Sequence, residues 1–155
     1  MSSTYLIALG SNRRHHLYGR PPEIVRAAME EMAALGMVAA RSPIIASPPM
    51  GPAQRRFANA VCVLESEYDP LALLAALKRM EAEFGRRPGR RWGDRVLDLD
   101  IILWSGGIWS DNTLSVPHSE FRQRDFVLQP AKAIAPDWRD PVSGLTIAHL
   151  AARCR

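Results

Sequence analysis

The sequence predicts an α+β fold: an antiparallel sheet with helices on one face, followed by additions at the C-terminus. Three observations point there. Short apolar runs with strand character recur along the chain. Two segments with helical spacing, each opened by proline, fall between them. Gly, Pro, Ser and Asn cluster at the boundaries, where turns need them.

The elements follow in order. Tyr5 to Leu9 is a short apolar strand ended by Gly10-Ser11-Asn12. A polar, basic stretch from Arg13 to Arg20 contains His15 and His16, read as solvated because neighbouring histidines are poorly placed to share one ion. Pro21 and Pro22 open a helix, as prolines in a first turn do. Ile24, Ala27, Ala28, Met32 and Leu35 continue it, and Gly36 stops it. Met37 to Ala46 reads as a strand, and SPPMGP (Ser47 to Pro52) as a loop. Phe57 to Glu65 is a strand. Asp69-Pro70 starts a second helix bearing Leu73, Leu74, Leu77, Met80 and Glu81, which ends near Gly85. An arginine-rich loop covers Arg86 to Arg95, and Val96 to Trp104 is a strand. Turns and short helices follow from Ile108. The order β-α-β-β-α-β is the ferredoxin-like one, with one face of the sheet left open.

Size and composition bound the function. A chain of 155 residues with 47% apolar content suits a single domain, residues 1–155, with a real core. No apolar run reaches the ~18 residues of a membrane span. MSSTYLIALGSN lacks a basic region before its apolar stretch and reads as a strand, not a leader. Cys62 and Cys154 are too few for a disulfide scaffold, which fits a reducing, cytoplasmic setting. Net charge is +4, with 20 basic residues that are nearly all arginine. Arginine excess suits phosphate binding but also follows base composition, so it decides little.

The chemistry concentrates in RWGDRVLDLDIILW. Alternation puts Leu97, Leu99, Ile101 and Leu103 toward the helices and Asp98, Asp100, Ile102 and Trp104 on the open face. The two aspartates then stand side by side, roughly 7 Å apart between Cα atoms. Such a pair suits Mg²⁺ bridged to phosphates. Alone, D-x-D is more often solvated or paired with arginine. Arg86, Arg87, Arg90, Arg91 and Arg95 just upstream can stabilise charge on a transferring phosphoryl group. The same run equally suits an RNA patch or a solvated loop. No GxxxxGK[ST] sequence is present, which excludes a P-loop kinase. Downstream, VPHSEFRQRDFVLQP offers His118, Arg122 and Arg124 for phosphate and Phe126 for stacking. Asn59, polar in an apolar strand, carries both donor and acceptor, as a pyrimidinone-like edge requires. The plain alternative is a satisfied strand amide.

The pieces ALGSN, SPPMGP, FANAV, MEAEFGR, RWGDRVLDLDIILW and VPHSEFRQRDFVLQPAKAIAP stand in this order across nearly the whole chain. Together they resemble the 6-hydroxymethyl-7,8-dihydropterin pyrophosphokinase family of folate biosynthesis. The resemblance implies use of ATP, the pterin and two Mg²⁺ ions, with neither nucleic acid nor membrane as partner, and a monomer is the expectation. It implies that Asp98 and Asp100 hold metal and that Arg86 and Arg95 act on the phosphates. It places Glu81, Trp92, Ile101, Ser115, His118, Arg122 and Arg124 around ATP. Ser47, Pro48, Met50, Phe57, Asn59 and Phe126 fall at the pterin pocket, with two aromatic rings sandwiching the bicyclic ring.

The chain departs from the family pattern at a few positions. Ser119 stands where Tyr is frequent, Ser47 where Thr is usual and Phe57 where Tyr is common. The stretch from Arg13 to Arg20 replaces a short, acidic-tending segment. Two rival readings stay open on the residues alone: a catalytically weak pterin- or nucleotide-binding paralogue, and a nucleic-acid-binding module on the same fold. The module would need aromatics, not carboxylates, on the open face.

Overall fold

The computed structural model describes residues 2–48, 55–85 and 96–154. Its strands are β1 (Ser3–Ser11), β2 (Met37–Arg41), β3 (Ile45–Ser47), β4 (Phe57–Ser66), β5 (Asp98–Trp104), β6 (Trp109–Ser110) and β7 (Ser115–Val116). Its helices are α1 (Pro21–Glu31), α2 (Pro70–Glu83), α3 (Asp125–Ile134) and α4 (Ile147–Arg153). Among the described residues the main sheet has the order β2-β4-β1-β5, with β3 also paired to β4. Every pairing is antiparallel.

Local chemistry sets the helix starts. Pro21 and Pro70 occupy first-turn positions, where a missing N–H costs nothing. Asp69 Oδ1 accepts from Ala72 N at 2.8 Å, and Glu23 Oε1 accepts from Arg20 N at 3.2 Å. Ile24, Ala28 and Met29 of α1, with Leu73, Leu77 and Met80 of α2, pack on Tyr5, Ile7, Leu9, Leu99 and Ile101. This layer is the one predicted.

The opposite face is not left open. Leu6, Ala8, Val61, Ile102 and Leu103 are covered by Phe121, by Val127, Leu128 and Ala131 of α3, and by Ile147 and Leu150 of α4. The C-terminal additions therefore form a third layer. Ile102 is 1% exposed beneath it, whereas Asp98 and Asp100, farther along β5, keep intermediate exposure.

The chain departs from the sequence expectation in three more places. The strand expected from Met37 to Ala46 is broken into β2 and β3, which follow one another along the same edge of β4. Pro43 has no N–H to give to a ladder. Ser42 bridges the gap instead: its N–H donates to Val61 O, and its hydroxyl accepts from Val61 N, both at 2.9 Å. Second, alternation fails at the end of β5. Leu6 pairs with Leu103 and Ile7 with Ile101, so Ile102 is an extra residue. The bulge turns Leu103 toward α3 and α4, and Trp104 toward the α1 and α2 layer. Third, β1 does not end at Leu9 but runs through Gly10 to Ser11.

Candidate active site

The site grows from one transverse row of the sheet. Ile45 pairs with Asn59, Asn59 with Gly10, and Gly10 with Asp98. Directly paired residues share a face. Asn59 and Asp98 therefore project from the same face with a residue lacking a side chain between them. Two strand spacings separate their backbones by roughly 10 Å. The next same-face row pairs Val61 with Ala8 and Ala8 with Asp100. Both carboxylates thus stand opposite the smallest side chains of β1, which leave the surface beside them low.

On the far face, Glu81 is only 3% exposed. Its Oε2 accepts from Leu99 N at 2.7 Å, which fixes the backbone between the two aspartates from behind. Ile101 is also on that side, with its side chain in the core. Neither side chain faces the row of Asn59 and Asp98.

On the amide side, Ser47 Oγ donates to Asn59 Oδ1 at 2.5 Å. Both residues are buried, and Phe57 pairs with Ser47 at the end of the strand. The bond occupies the carbonyl end of the amide and directs the NH₂ end toward β1. A Cβ built on Gly10 would lie 3.1 Å from Asn59 Nδ2 and 3.7 Å from Phe57 Cδ1. Pro48 follows Ser47 at the surface. Phe126 lies at the start of α3, partly buried against the second core layer, with the Arg124 guanidinium 5.7 Å from its ring centroid.

The segment after β7 lies along β5, where His118 N donates to Ile102 O at 3.0 Å. His118 Nδ1 accepts from Glu120 N at 3.1 Å, which leaves the proton on Nε2. Burial first, and then nearby Arg124, pull the His118 pKa down, while Glu120 and Asp98 oppose them. Arg124 pairs with the exposed Glu120 at 2.6 Å, a screened contact that a phosphate can replace. Ser115 is exposed and pairs with Ser110. Arg122 is turned elsewhere. Its Nε and Nη2 meet Asp140 Oδ2 and Oδ1 at 2.6 and 2.8 Å, and its guanidinium covers the Phe121 ring at 4.7 Å. Met50, Arg86, Trp92 and Arg95 lie outside the described residues.

Both histidines after β1 were expected to be solvated, and this holds for His16 only. His15 and Gly19 bond each other's backbone at 2.8 Å in a small hairpin. The His15 ring stacks on His16 and tilts against Tyr18, and Tyr18 stacks on Phe84 at the end of α2. Of the two histidines, only His16 is exposed.

A family model described as 7,8-dihydro-6-hydroxymethylpterin-pyrophosphokinase matches residues 6–136. The chain belongs to this pyrophosphokinase family. A 2-amino-4-hydroxy-6-hydroxymethyldihydropteridine pyrophosphokinase of Pseudomonas aeruginosa is 41% identical over 151 residues, 96% of this chain and 90% of that one. The enzyme of the same name from Haemophilus influenzae is 40% identical over 137 residues, 86% of this chain and 82% of that one. The solved wild-type HPPK-DHPS of Plasmodium falciparum superposes with a TM-score of 0.77 at 14% identity. It covers 99% of this chain, which spans only 41% of that one, and the likeness supports the fold.

Within this pyrophosphokinase the donor set fits a hard divalent cation. Two carboxylates share a face, and no group of three or more His, Cys, Asp or Glu side chains suited to a metal occurs among the described residues. A carboxylate pair would leave the remaining positions of such a cation to phosphate oxygens and water. Sequence reasoning passed over Gly10, taking it as the end of a strand. A glycine inside an apolar strand is itself a signal of close approach.

Proposed function

We propose that this row is where the pyrophosphokinase moves the diphosphoryl group of ATP onto the hydroxymethyl oxygen of 6-hydroxymethyl-7,8-dihydropterin, releasing AMP, in folate biosynthesis. The observation that carries the reading is the shared face of Asn59, Gly10 and Asp98. It sets an amide suited to a pterin edge within reach of a carboxylate pair suited to metal-bound phosphates.

Asp98 and Asp100 would hold two Mg²⁺ ions. Bound there, the metal would supply positive charge against the phosphates. Phe57 and Phe126 stack on the pterin faces, and Ser47 holds the Asn59 amide that reads its edge. Pro48 and Met50 complete that pocket. Arg124, His118 and Ser115 serve ATP from the segment beside β5, with Trp92. Arg86 and Arg95 contribute charge to the phosphates. Glu81 and Ile101 act from behind, holding β5, and Arg122 belongs to the scaffold through Asp140. Catalysis is then mainly positioning and charge stabilisation.

The reading takes the chain as a monomeric single domain of the cytoplasm. Buried, unbridged Cys62 supports a reducing setting, and no helix among the described residues is long and apolar enough to cross a membrane. A nucleic-acid module is disfavoured because β5 presents aspartates where such a surface needs aromatics.

The deciding experiment incubates the protein with ATP, Mg²⁺ and 6-hydroxymethyl-7,8-dihydropterin and resolves the nucleotides. AMP should appear in step with pterin diphosphate, only when the pterin is present. ADP as the main product, or no pterin-dependent AMP, overturns the reading.

A further inference from the structure

Gly10 needs no glycine for its backbone. It lies inside β1 in regular register with both neighbours, paired to Asn59 on one side and Asp98 on the other, and it is absent from the residues with positive φ. What the position requires is space. A Cβ there would sit 3.1 Å from Asn59 Nδ2, tighter than ordinary contact. The amide cannot readily move away, because Ser47 Oγ holds its other end at 2.5 Å and both residues are buried. Asn59 is therefore clamped between a hydroxyl and bare backbone, with its NH₂ end lying over β1 on the side of Asp98.

We propose that Gly10 is a positioning residue for Asn59: its missing side chain lets the amide lie across β1 at the height and angle that the pterin edge needs. The proposal rests on the pterin reading of Asn59. A methyl group at residue 10 lifts the amide by a few tenths of an ångström. Pterin affinity falls, while nucleotide binding, which uses the Asp98 side of the row, does not.

The test is a double-mutant cycle of Gly10→Ala and Asn59→Ala, read by calorimetric titration of 6-hydroxymethylpterin onto protein saturated with a non-hydrolysable ATP analogue and Mg²⁺. In the parent, Gly10→Ala should weaken pterin binding about tenfold, the scale of a modest overpacking penalty. In the Asn59→Ala background the same change should weaken it less than about twofold, because its target is gone. Affinity for the ATP analogue should stay within about twofold throughout, because the three nearest atoms to the added methyl belong to Asn59, Phe57 and Ala58 on the β4 side and none to Asp98. A full loss in both backgrounds, or no loss in the parent, overturns the proposal. Should Gly10→Ala fail to fold, recovery of folding in Gly10→Ala/Asn59→Ala supports the contact, and failure of both variants overturns it. A parent that binds the ATP analogue but no pterin overturns the functional reading itself, and this inference with it.

Discussion

Glu81 Oε2 accepts a hydrogen bond from the backbone N–H of Leu99 at 2.7 Å, and Leu99 is the residue between Asp98 and Asp100. One buried carboxylate on a helix thus sets the strand that carries two half-exposed ones. Glu81→Ala leaves the Leu99 N–H without this acceptor and should cost about 1–3 kcal/mol. Glu81→Gln keeps an oxygen in place and should cost less. Urea denaturation of both variants measures the difference. Equal losses would show that charge, rather than the bond to Leu99, is what Glu81 contributes.

Asp98→Asn and Asp100→Asn keep side-chain size and remove one charge each. Both positions have intermediate exposure, so stability should change by no more than about 1 kcal/mol. Mg²⁺-dependent AMP formation should fall at least about a hundredfold, the scale of losing a charge that organises a transferring group. Near-normal turnover at saturating Mg²⁺ in either variant would remove that aspartate from the metal site.

Arg122 and Asp140 predict an acid-sensitive scaffold, separate from the chemistry. The Asp140 side chain is 0% exposed. Burial alone would raise its pKa, but bonds from Arg122, Ser143 and Val142 N outweigh that and hold it well below the usual carboxylate range. A depressed folded-state pKa gives stability that is fully present above the unfolded value of about 4. It is lost as pH falls below that value toward the folded pKa. Arg122→Ala should cost about 3 kcal/mol at pH 7, since it strands a buried charge. Asp140→Asn should flatten the acid limb of stability against pH. ATP-analogue affinity at pH 7 should be unchanged in folded Arg122→Ala. A specific loss of nucleotide binding would return Arg122 to the ATP site.

The element order was legible because apolar periodicity and helix-opening prolines are local signals. The acid pair was legible for the same reason, since alternation in a strand decides its face. Most of what was missed is tertiary. Ile101, Ile102 and Leu103 are apolar in succession, so nothing local marks the bulge that sends Leu103 to the other layer. That bulge exists only in the register of β1 against β5. The break in the strand after Arg41 was signalled by Pro43, but the bonds from Ser42 that carry the edge across it depend on Val61. The bond from Arg122 to Asp140 was not legible either, because the two residues are 18 positions apart. Gly10 acquires its meaning only when β4 is laid beside β1 and Asn59 leans over it.

Ser47 Oγ donates to Asn59 Oδ1 at 2.5 Å, so the amide enters the site already oriented, with its two N–H donors on the side of β1. Stacking by Phe57 and Phe126 is indifferent to edge chemistry, so discrimination falls to this amide. Asn59→Ala leaves a buried ligand edge unpaired and should cost about 1–3 kcal/mol of pterin binding, roughly tenfold to a hundredfold in affinity. Asn59→Asp keeps the shape but removes both donors and adds a charge, and should fail as badly. Ser47→Ala keeps the amide but releases its carbonyl end, so the loss should be smaller than for Asn59→Ala. Ser47→Thr retains the hydroxyl and should bind nearly as the parent does. The order expected from calorimetric titration with ATP analogue and Mg²⁺ present is parent, Ser47→Thr, Ser47→Ala, Asn59→Ala. Ser47→Ala equal to the parent would mean that the hydroxyl does not orient the amide. Asn59→Ala equal to the parent would make Asn59 a strand residue satisfied by Ser47 alone, with the pterin bound elsewhere.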